Sequence, residues 1–262
     1  MDEALLLNLL VDMYKQKVIF RDLGLMDYKT AWDYQEQLLQ ENVKKKSLVF
    51  TQESGTTNDQ LPTPDSELQT QHYLLFVEHP PVYTLGKSGN IENVLINEEI
   101  RLAKGIEFFR TNRGGDITFH GPQQIVGYPI LDLEKFETDI GKYLRNIEEV
   151  TILTLAEYGI TAGRSPGETG VWIDADQPGK ERKICAIGVR SSRWITMHGF
   201  ALNVNTDLSH FNFIVPCGIQ NKQVTSIEKE SGHKVDFDEV KEKMKRNFEK
   251  VFNVELAIGN EQ

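Results

Sequence analysis

The sequence predicts an α+β (mixed α/β) fold, a mixed β-sheet flanked by helices. Short apolar runs separated by turn residues recur along the chain, while only a few stretches carry helical spacing. The connections are too short for the crossover helices of a uniformly parallel sheet. At 262 residues, of which 39% are hydrophobic, there is enough apolar material for a full-sized core. The reading is an N-terminal extension (1–17), a single domain (18–256) with a flexible insertion at 51–70, and a tail (257–262).

Residues 1–17 are amphipathic, with an apolar run from Ala4 to Val11 behind Asp2 and Glu3. A secretory signal needs a basic start and a small-residue cleavage site instead. No window reaches the ~18 apolar residues of a membrane span, so a cytoplasmic location without a membrane partner is expected. Val18 to Phe20 read as a first strand. Asp27 then caps a helix with Tyr28, Ala31, Trp32, Leu38 and Leu39 at helical spacing. Lys44, Lys45 and Lys46 suit its C-terminal end, where cations complement the helix dipole. Residues 51–70 contain two Leu, two Pro and no aromatic, too little apolar surface to offset their ordering entropy.

Strands follow at Tyr73 to Val77 and Val82 to Leu85, on either side of His79-Pro80-Pro81. Further strands are expected at Ile106 to Phe109, Ile117 to Phe119 and Ile125 to Leu131. A helix from about Asp139 to Tyr158 ends at Gly159. Val171 to Ile173, Ile184 to Val189, Trp194 to Met197 and Phe200 to Val204 read as strands. A last helix, about Asp236 to Phe252, carries Val240, Met244, Phe248 and Val251 at helical spacing.

Charge and cysteine content narrow the function. With 29 basic and 39 acidic residues, the net charge is −10, which argues against a nucleic-acid partner. Two cysteines do not make a disulfide scaffold, and no C-x-x-C pair or helical His pair suggests a metal. Two segments stand out. In Arg113-Gly114-Gly115-Asp116-Ile117-Thr118-Phe119-His120 the paired glycines permit positive φ and close backbone approach, although a plain hairpin turn reads equally well. In Pro216-Cys217-Gly218 an irregular turn presents a thiol, against the alternative of a small buried cysteine. Cys185 sits in an apolar run and reads as structural. Lys183, at the head of that run, is either a solvent-reaching strand end or an ammonium placed beside a thiol. Cys217 with His120 or His198, and Asn203 to orient the imidazole, has the residue types for acyl transfer. Neither G-x-x-x-x-G-K nor G-x-G-x-x-G is present, which lowers the case for a nucleotide enzyme.

The blocks RGGDITFHGP, IVGYPILDL, GVWID, KICAIGVR, TMHGFALNV and PCGI, in that order, resemble the lipoyl(octanoyl) transferases from about Leu23 to Ile227. The resemblance implies a fold like the catalytic domain of biotin and lipoate protein ligases. It implies transfer of an octanoyl (or lipoyl) group from acyl carrier protein to a lysine. The acceptors it implies are lipoyl domains of 2-oxoacid dehydrogenase complexes and the glycine cleavage H protein. No cofactor is implied, because a thioester donor needs no ATP. Cys217 falls on the acyl-thioester nucleophile and Lys183 on the lysine that activates it. Arg113, Gly114, Gly115, Asp116, Ile117, Thr118, Phe119 and His120 fall on the substrate site, with Ala186, Ile187, Gly188, Gly199, Phe200 and Ala201. Three features depart from the family: Gln123 stands where Gly-Pro-Gly-Gln has its second Gly, Cys185 where Ala is frequent, and the 51–70 insertion is long. An acidic carrier would need a local basic patch on this acidic chain, for which Lys44, Lys45, Lys46, Arg21, Lys87, Arg190 and Arg193 are candidates. An ATP-dependent lipoate–protein ligase and a non-catalytic carrier-binding relative are the competing readings.

Overall fold

Residues 15–55, 69–215 and 223–259 are described in the computed structural model, 49–55 by backbone alone. Strand β1 (Gln16–Leu25) leads to helix α1 (Tyr28–Gly55), whose N-terminus Asp27 caps by accepting from Thr30 N at 2.9 Å. Strands β2 (His72–Glu78) and β3 (Val82–Leu85) follow, then helix α2 (Glu98–Ala103). Next come β4 (Glu107–Arg110), β5 (Ile117–His120), β6 (Gln124–Ile130) and helix α3 (Ile140–Ala156). The chain continues through β7 (Val171–Ile173), β8 (Arg182–Ser192), β9 (Ile195–Asn203) and β10 (Gln223–Val224). It closes with α4 (Ile227–Ser231), α5 (Phe237–Phe252) and β11 (Val254–Ile258).

The large sheet runs β10-β8-β9-β6-β2-β1-β11, with β7 added on β8, and a small sheet runs β4-β3-β5. Pairing of β1 with β2 and β11 is parallel, whereas β2–β6, β6–β9 and β8–β9 are antiparallel, so the sheet is mixed as expected. Side-chain alternation buries both of its faces. Leu74 and Phe76 pack with Ile147 and Val150 of α3 and Met244 and Phe248 of α5. Leu75 and Val77 pack with Ala31, Leu38 and Leu39 of α1. The small sheet has its own apolar cluster around Tyr83, Leu85, Ile117 and Phe119.

Several expectations are corrected. Lys46 does not end α1. It ion-pairs with the buried Asp132 and with Glu134, both at 2.8 Å, and the backbone stays helical to Gly55. The first five residues of the expected insertion are therefore helical, and 56–68 lie outside the described residues. The two strands expected at Trp194 to Met197 and Phe200 to Val204 are a single one, β9 (Ile195–Asn203). The His198-Gly199 step reads as a break, yet pairing with β8 continues through Val189↔His198 and Gly188↔Gly199. The expected tail contributes Ala257 and Ile258 to β11, opposite Ile19 and Phe20. A left-handed Asn253 (φ 51°) turns the chain directly from α5 into that strand. Gln16 and Lys17 of the expected extension pair in β1, while 1–14 lie outside the described residues. Helices α2 and α4 are too short to leave a periodic signal.

Candidate active site

A cavity of about 350 Å³ lies between the two sheets, roofed by the 113–118 segment and closed at one end by Tyr28, the first residue of α1. Its floor is the β8–β9 ladder. Ala186, Ile187 and Gly188 lie opposite Ala201, Phe200 and Gly199, and all six line the space. Small residues here let the walls approach: a Cβ at Gly188 would stand 2.8 Å from Gly114 O. From His198 to Asn203, both lining residues of β9, is 203 − 198 = 5 steps, about 17 Å of strand. The cavity is thus a slot along the strands. Arg113, Tyr28 and His198 stand towards one end, Lys183, Asn203 and Val224 towards the other.

The 113–120 segment divides its residues. Arg113, Gly115, Asp116, Ile117, Thr118 and His120 line the slot. Gly114 and Phe119 do not. The Gly114 N–H seats the turn on β8 by donating to Val189 O at 2.9 Å. Phe119 turns into the small-sheet core and stacks on His210 at 4.5 Å between centroids. Strand alternation sends Thr118 and His120 one way and Phe119 the other. Arg113 is buried and builds the turn: Nη2 donates to Thr84 O (2.6 Å), Thr84 Oγ1 (3.0 Å) and Asp116 O (2.8 Å), and Nη1 to Gly114 O (2.9 Å). Of the paired glycines, Gly115 adopts positive φ (85°).

Buried hydrogen bonds cross the slot in one direction. Asn203 Nδ2 donates to Thr225 O (2.9 Å), which leaves Oδ1 to accept from Gln124 Nε2 (2.8 Å). Gln124 Nε2 also donates to Phe119 O (3.1 Å), so Oε1 faces His120 Nδ1 (2.8 Å) as acceptor. His120 is therefore assigned as the Nδ1–H tautomer, with Nε2 accepting from Thr84 Oγ1 at 3.3 Å. Asn203 thus reaches an imidazole only through Gln124, and His198 pairs with Asn112 Oδ1 at 2.7 Å instead. Among the described residues Asn203 therefore orients neither histidine directly. Gln123, where the resemblance led to the expectation of a glycine, takes a left-handed φ of 61°. Its N–H donates to Glu78 Oε2 (2.6 Å), and its carbonyl accepts from Val204 N, Asn205 N and Thr206 Oγ1. These bonds offset the roughly 1–2 kcal/mol that a side chain costs in that conformation.

Burial holds the His120 imidazole far below its ordinary range and lowers His79 to about 4 and His198 to about 3. His72, the first residue of β2, is lowered to about 4 by the same loss of hydration. All four are neutral at pH 7. The unfolded chain takes up protons near pH 6.5, where the folded chain does not. Stability is therefore complete above that pH and is lost as pH falls towards ~4, by up to about 1.4 kcal/mol per pH unit for each histidine. Denaturant midpoints at about pH 7.5 and about pH 5.5 test this. A clear fall at the lower pH is expected, and equal midpoints would refute it.

Lys183 is largely buried. Its Nζ lies 4.5 Å from the centre of the Trp172 ring, and its main-chain O accepts from Thr225 N at 3.0 Å. Cys217 lies outside the described residues, which stop at Val215 and resume at Gln223. Val215 N donates to Asn93 O (2.8 Å), and Val224 pairs with Lys183. Cys185 is a free thiol with no exposure, pushed up to about 12 by burial, so it is a packing residue as expected. Tyr28, Gln124, Tyr128 and Glu168 also line the slot and were not anticipated from the sequence. Gln124 and Tyr128 alone had a signal: the first follows the RGGDITFHGP block and the second lies within IVGYPILDL.

Residues 27–249 match the lipoyl protein ligase A/B catalytic domain. The octanoyltransferase of Flavobacterium johnsoniae is 57% identical over 243 residues, 92% of this chain and 99% of that one. That of Christiangramia forsetii is 55% identical over 242 residues, 92% and 98% of the two chains. Among solved structures, a bipartite lipoate protein ligase of Thermoplasma acidophilum superposes with a TM-score of 0.64 at 16% identity, covering 94% of this chain and 88% of that one. A lipoate-protein ligase A bound with ATP gives 0.63 at 14% identity, covering 95% and 90%. At such identities the two structures bear on the fold alone. The chain belongs to the lipoyl protein ligase A/B catalytic domain family. Within that family it is an enzyme of the octanoyltransferase kind.

Proposed function

We propose that the protein moves an octanoyl (or lipoyl) group from acyl carrier protein to a lysine of lipoyl domains in lipoate biosynthesis, through a thioester on Cys217. The acceptors are lipoyl domains of 2-oxoacid dehydrogenase complexes and the glycine cleavage H protein. The observation that carries the reading is the slot: an apolar floor, in which Ala186 and Gly188 lie opposite Ala201 and Gly199 on either side of the Ile187–Phe200 pair, with the Lys183 side chain at one end. An acyl chain laid along that floor places its thioester beside Lys183, and each buried methylene contributes about 0.8 kcal/mol to its selection.

Two exchanges complete the cycle. The Cys217 thiolate attacks the donor thioester carbonyl, the S–C bond of the carrier breaks, and the carrier leaves as its thiol after taking a proton from the Lys183 ammonium. The lysine amine of the acceptor then attacks the Cys217 thioester. An amide forms, the S–C bond to Cys217 breaks, and the amine proton passes to Lys183, which gave its own proton to the departing carrier in the first exchange. The Lys183 ammonium favours the Cys217 thiolate in the first step, since a cation within about 4–6 Å lowers a thiol by roughly 1–3 pKa units. Arg113 and His120, tied through Thr84, keep the opposite wall rigid. Of the basic residues considered for carrier docking, Lys46, Arg190 and Arg21 already face Asp132, Glu36 and Tyr34. Lys87 is exposed beside the lining residue Ser88.

Intact-mass measurement after mixing with octanoyl-acyl carrier protein alone tests the reading. A gain of one octanoyl group, mapped to Cys217, is expected. Acylation of the acceptor that requires ATP and survives Cys217→Ala would select an ATP-dependent ligase. Tight carrier binding without acylation would select a non-catalytic relative.

A further inference from the structure

We propose that Glu148, which does not line the slot, is a positioning residue that sets the Lys183 side chain through Gly170. The proposal rests on the role assigned to Lys183 above. Glu148, on α3, has no exposure. Its Oε2 accepts from Arg145 Nη1 (2.6 Å) and Arg164 Nε (2.9 Å), and its Oε1 from the main-chain N–H of Gly170 (3.0 Å). Arg164 further donates through Nη2 to Arg145 O (3.1 Å) and Glu149 Oε2 (2.6 Å). One buried carboxylate therefore joins α3 to both ends of the segment from Arg164 to Gly170.

Gly170 is where that segment meets Lys183. Its φ is 124°, and a Cβ there would stand 2.6 Å from Cys185 O, 3.4 Å from Lys183 Cε and 3.7 Å from Lys183 Cδ. The lysine stem thus lies over a bare glycine Cα. Two residues on, Trp172 supplies the ring beneath the ammonium and exchanges hydrogen bonds with Gly163 at 2.9 and 2.8 Å. Gly167, Glu168 and Thr169, between the two anchors, line the slot. A buried ion pair is weak as a stabiliser, because desolvation offsets its attraction and an apolar replacement often does as well. This one aims a main-chain N–H and fixes the surface under a reactive lysine, which an apolar residue would not do.

The test reads the pH dependence of Cys217 alkylation, and octanoyl transfer, in the full-length enzyme carrying Cys185→Ala. Glu148→Leu should move the alkylation midpoint upward, as Lys183→Met does, and lower kcat by about 10–100-fold with little change in KM. Combined with Lys183→Met it should add no further shift, since its effect passes through that side chain. Glu148→Gln keeps an acceptor for Gly170 and should recover most of the rate. If Glu148→Leu fails to fold, Arg164→Met replaces it: that side chain is 36% exposed, and its loss should shift the midpoint in the same sense, again only when Lys183 is present. A shift that adds to that of Lys183→Met would show a merely structural role and overturn the proposal. So would an unmoved midpoint in Glu148→Leu or Arg164→Met while Lys183→Met still shifts. If Lys183→Met itself moves nothing, the reading of Lys183 fails and takes this proposal with it.

Discussion

Cys217→Ala is expected to abolish octanoyl transfer, with kcat/KM falling by ~10⁴-fold or more, as when other covalent nucleophiles are removed. No second thiol stands ready to replace it. Cys185 has no exposure, its Sγ faces Thr151 Oγ1 at 3.8 Å, and burial pushes it up to about 12. At pH 7 it therefore stays protonated and is a poor nucleophile. Cys185→Ala should accordingly keep activity within about threefold, while costing about 1 kcal/mol of stability for the buried sulfur. The two variants separate catalysis from packing when assayed side by side with octanoyl-acyl carrier protein and a lipoyl domain. Near-wild-type turnover by Cys217→Ala would end the covalent mechanism. A dead Cys185→Ala with a normal unfolding transition would move the nucleophile to the other cysteine.

The strands were legible because both faces of the large sheet are covered. In β2, Leu74 and Phe76 face one set of helices while Leu75 and Val77 face α1, so the strand reads as an unbroken apolar run. Helices α3 and α5 carried the same clarity, since Asp139 and Asp236 both cap through Oδ1. What stayed hidden lacked a local signal. In α2, Ile100 and Leu102 are exposed, so six residues show no apolar face. In β11 the buried Val254 precedes the exposed Glu255, and the pairing partner lies at the far N-terminal end of the chain.

The candidate site was legible mainly as blocks of sequence, and blocks do not carry side-chain direction. The 113–120 block contributes His120 to the slot and withholds Phe119, a distinction that only strand alternation makes. The two floor triplets transfer whole, because the register sets one against the other. Glu148 had no signal at all. Its partners at 145, 164 and 170 come together only when the loop from Arg164 folds back on α3. Tyr28 is likewise placed by the turn that starts α1, far in sequence from every motif.

Lys183→Met should slow transfer severely and raise the Cys217 thiol towards its ordinary value of ~8.5. Met is unbranched and of similar length, so it can lie over Gly170 and Trp172 as the lysine stem does. What it lacks is the charge. Alkylation by iodoacetamide, followed against pH in the Cys185→Ala background, reports the thiolate directly. The sign is definite. A cation favours the thiolate, so its removal slows alkylation at pH 7, and the rate recovers as pH rises past the new midpoint. Lys183→Arg separates the two duties assigned to this side chain. It keeps the positive charge and should preserve part of the alkylation rate, but a guanidinium does not accept a proton at neutral pH. The octanoyl-enzyme should therefore still form from the carrier in Lys183→Arg, while its transfer to the acceptor lysine stalls. Accumulated octanoyl-Cys217 enzyme in an intact-mass spectrum, with acceptor present, is the expected signature. Equal slowing of both half-reactions would mean that geometry rather than proton transfer was lost. An alkylation profile unmoved in Lys183→Met would remove the electrostatic role and leave Lys183 as a base or as a wall of the slot.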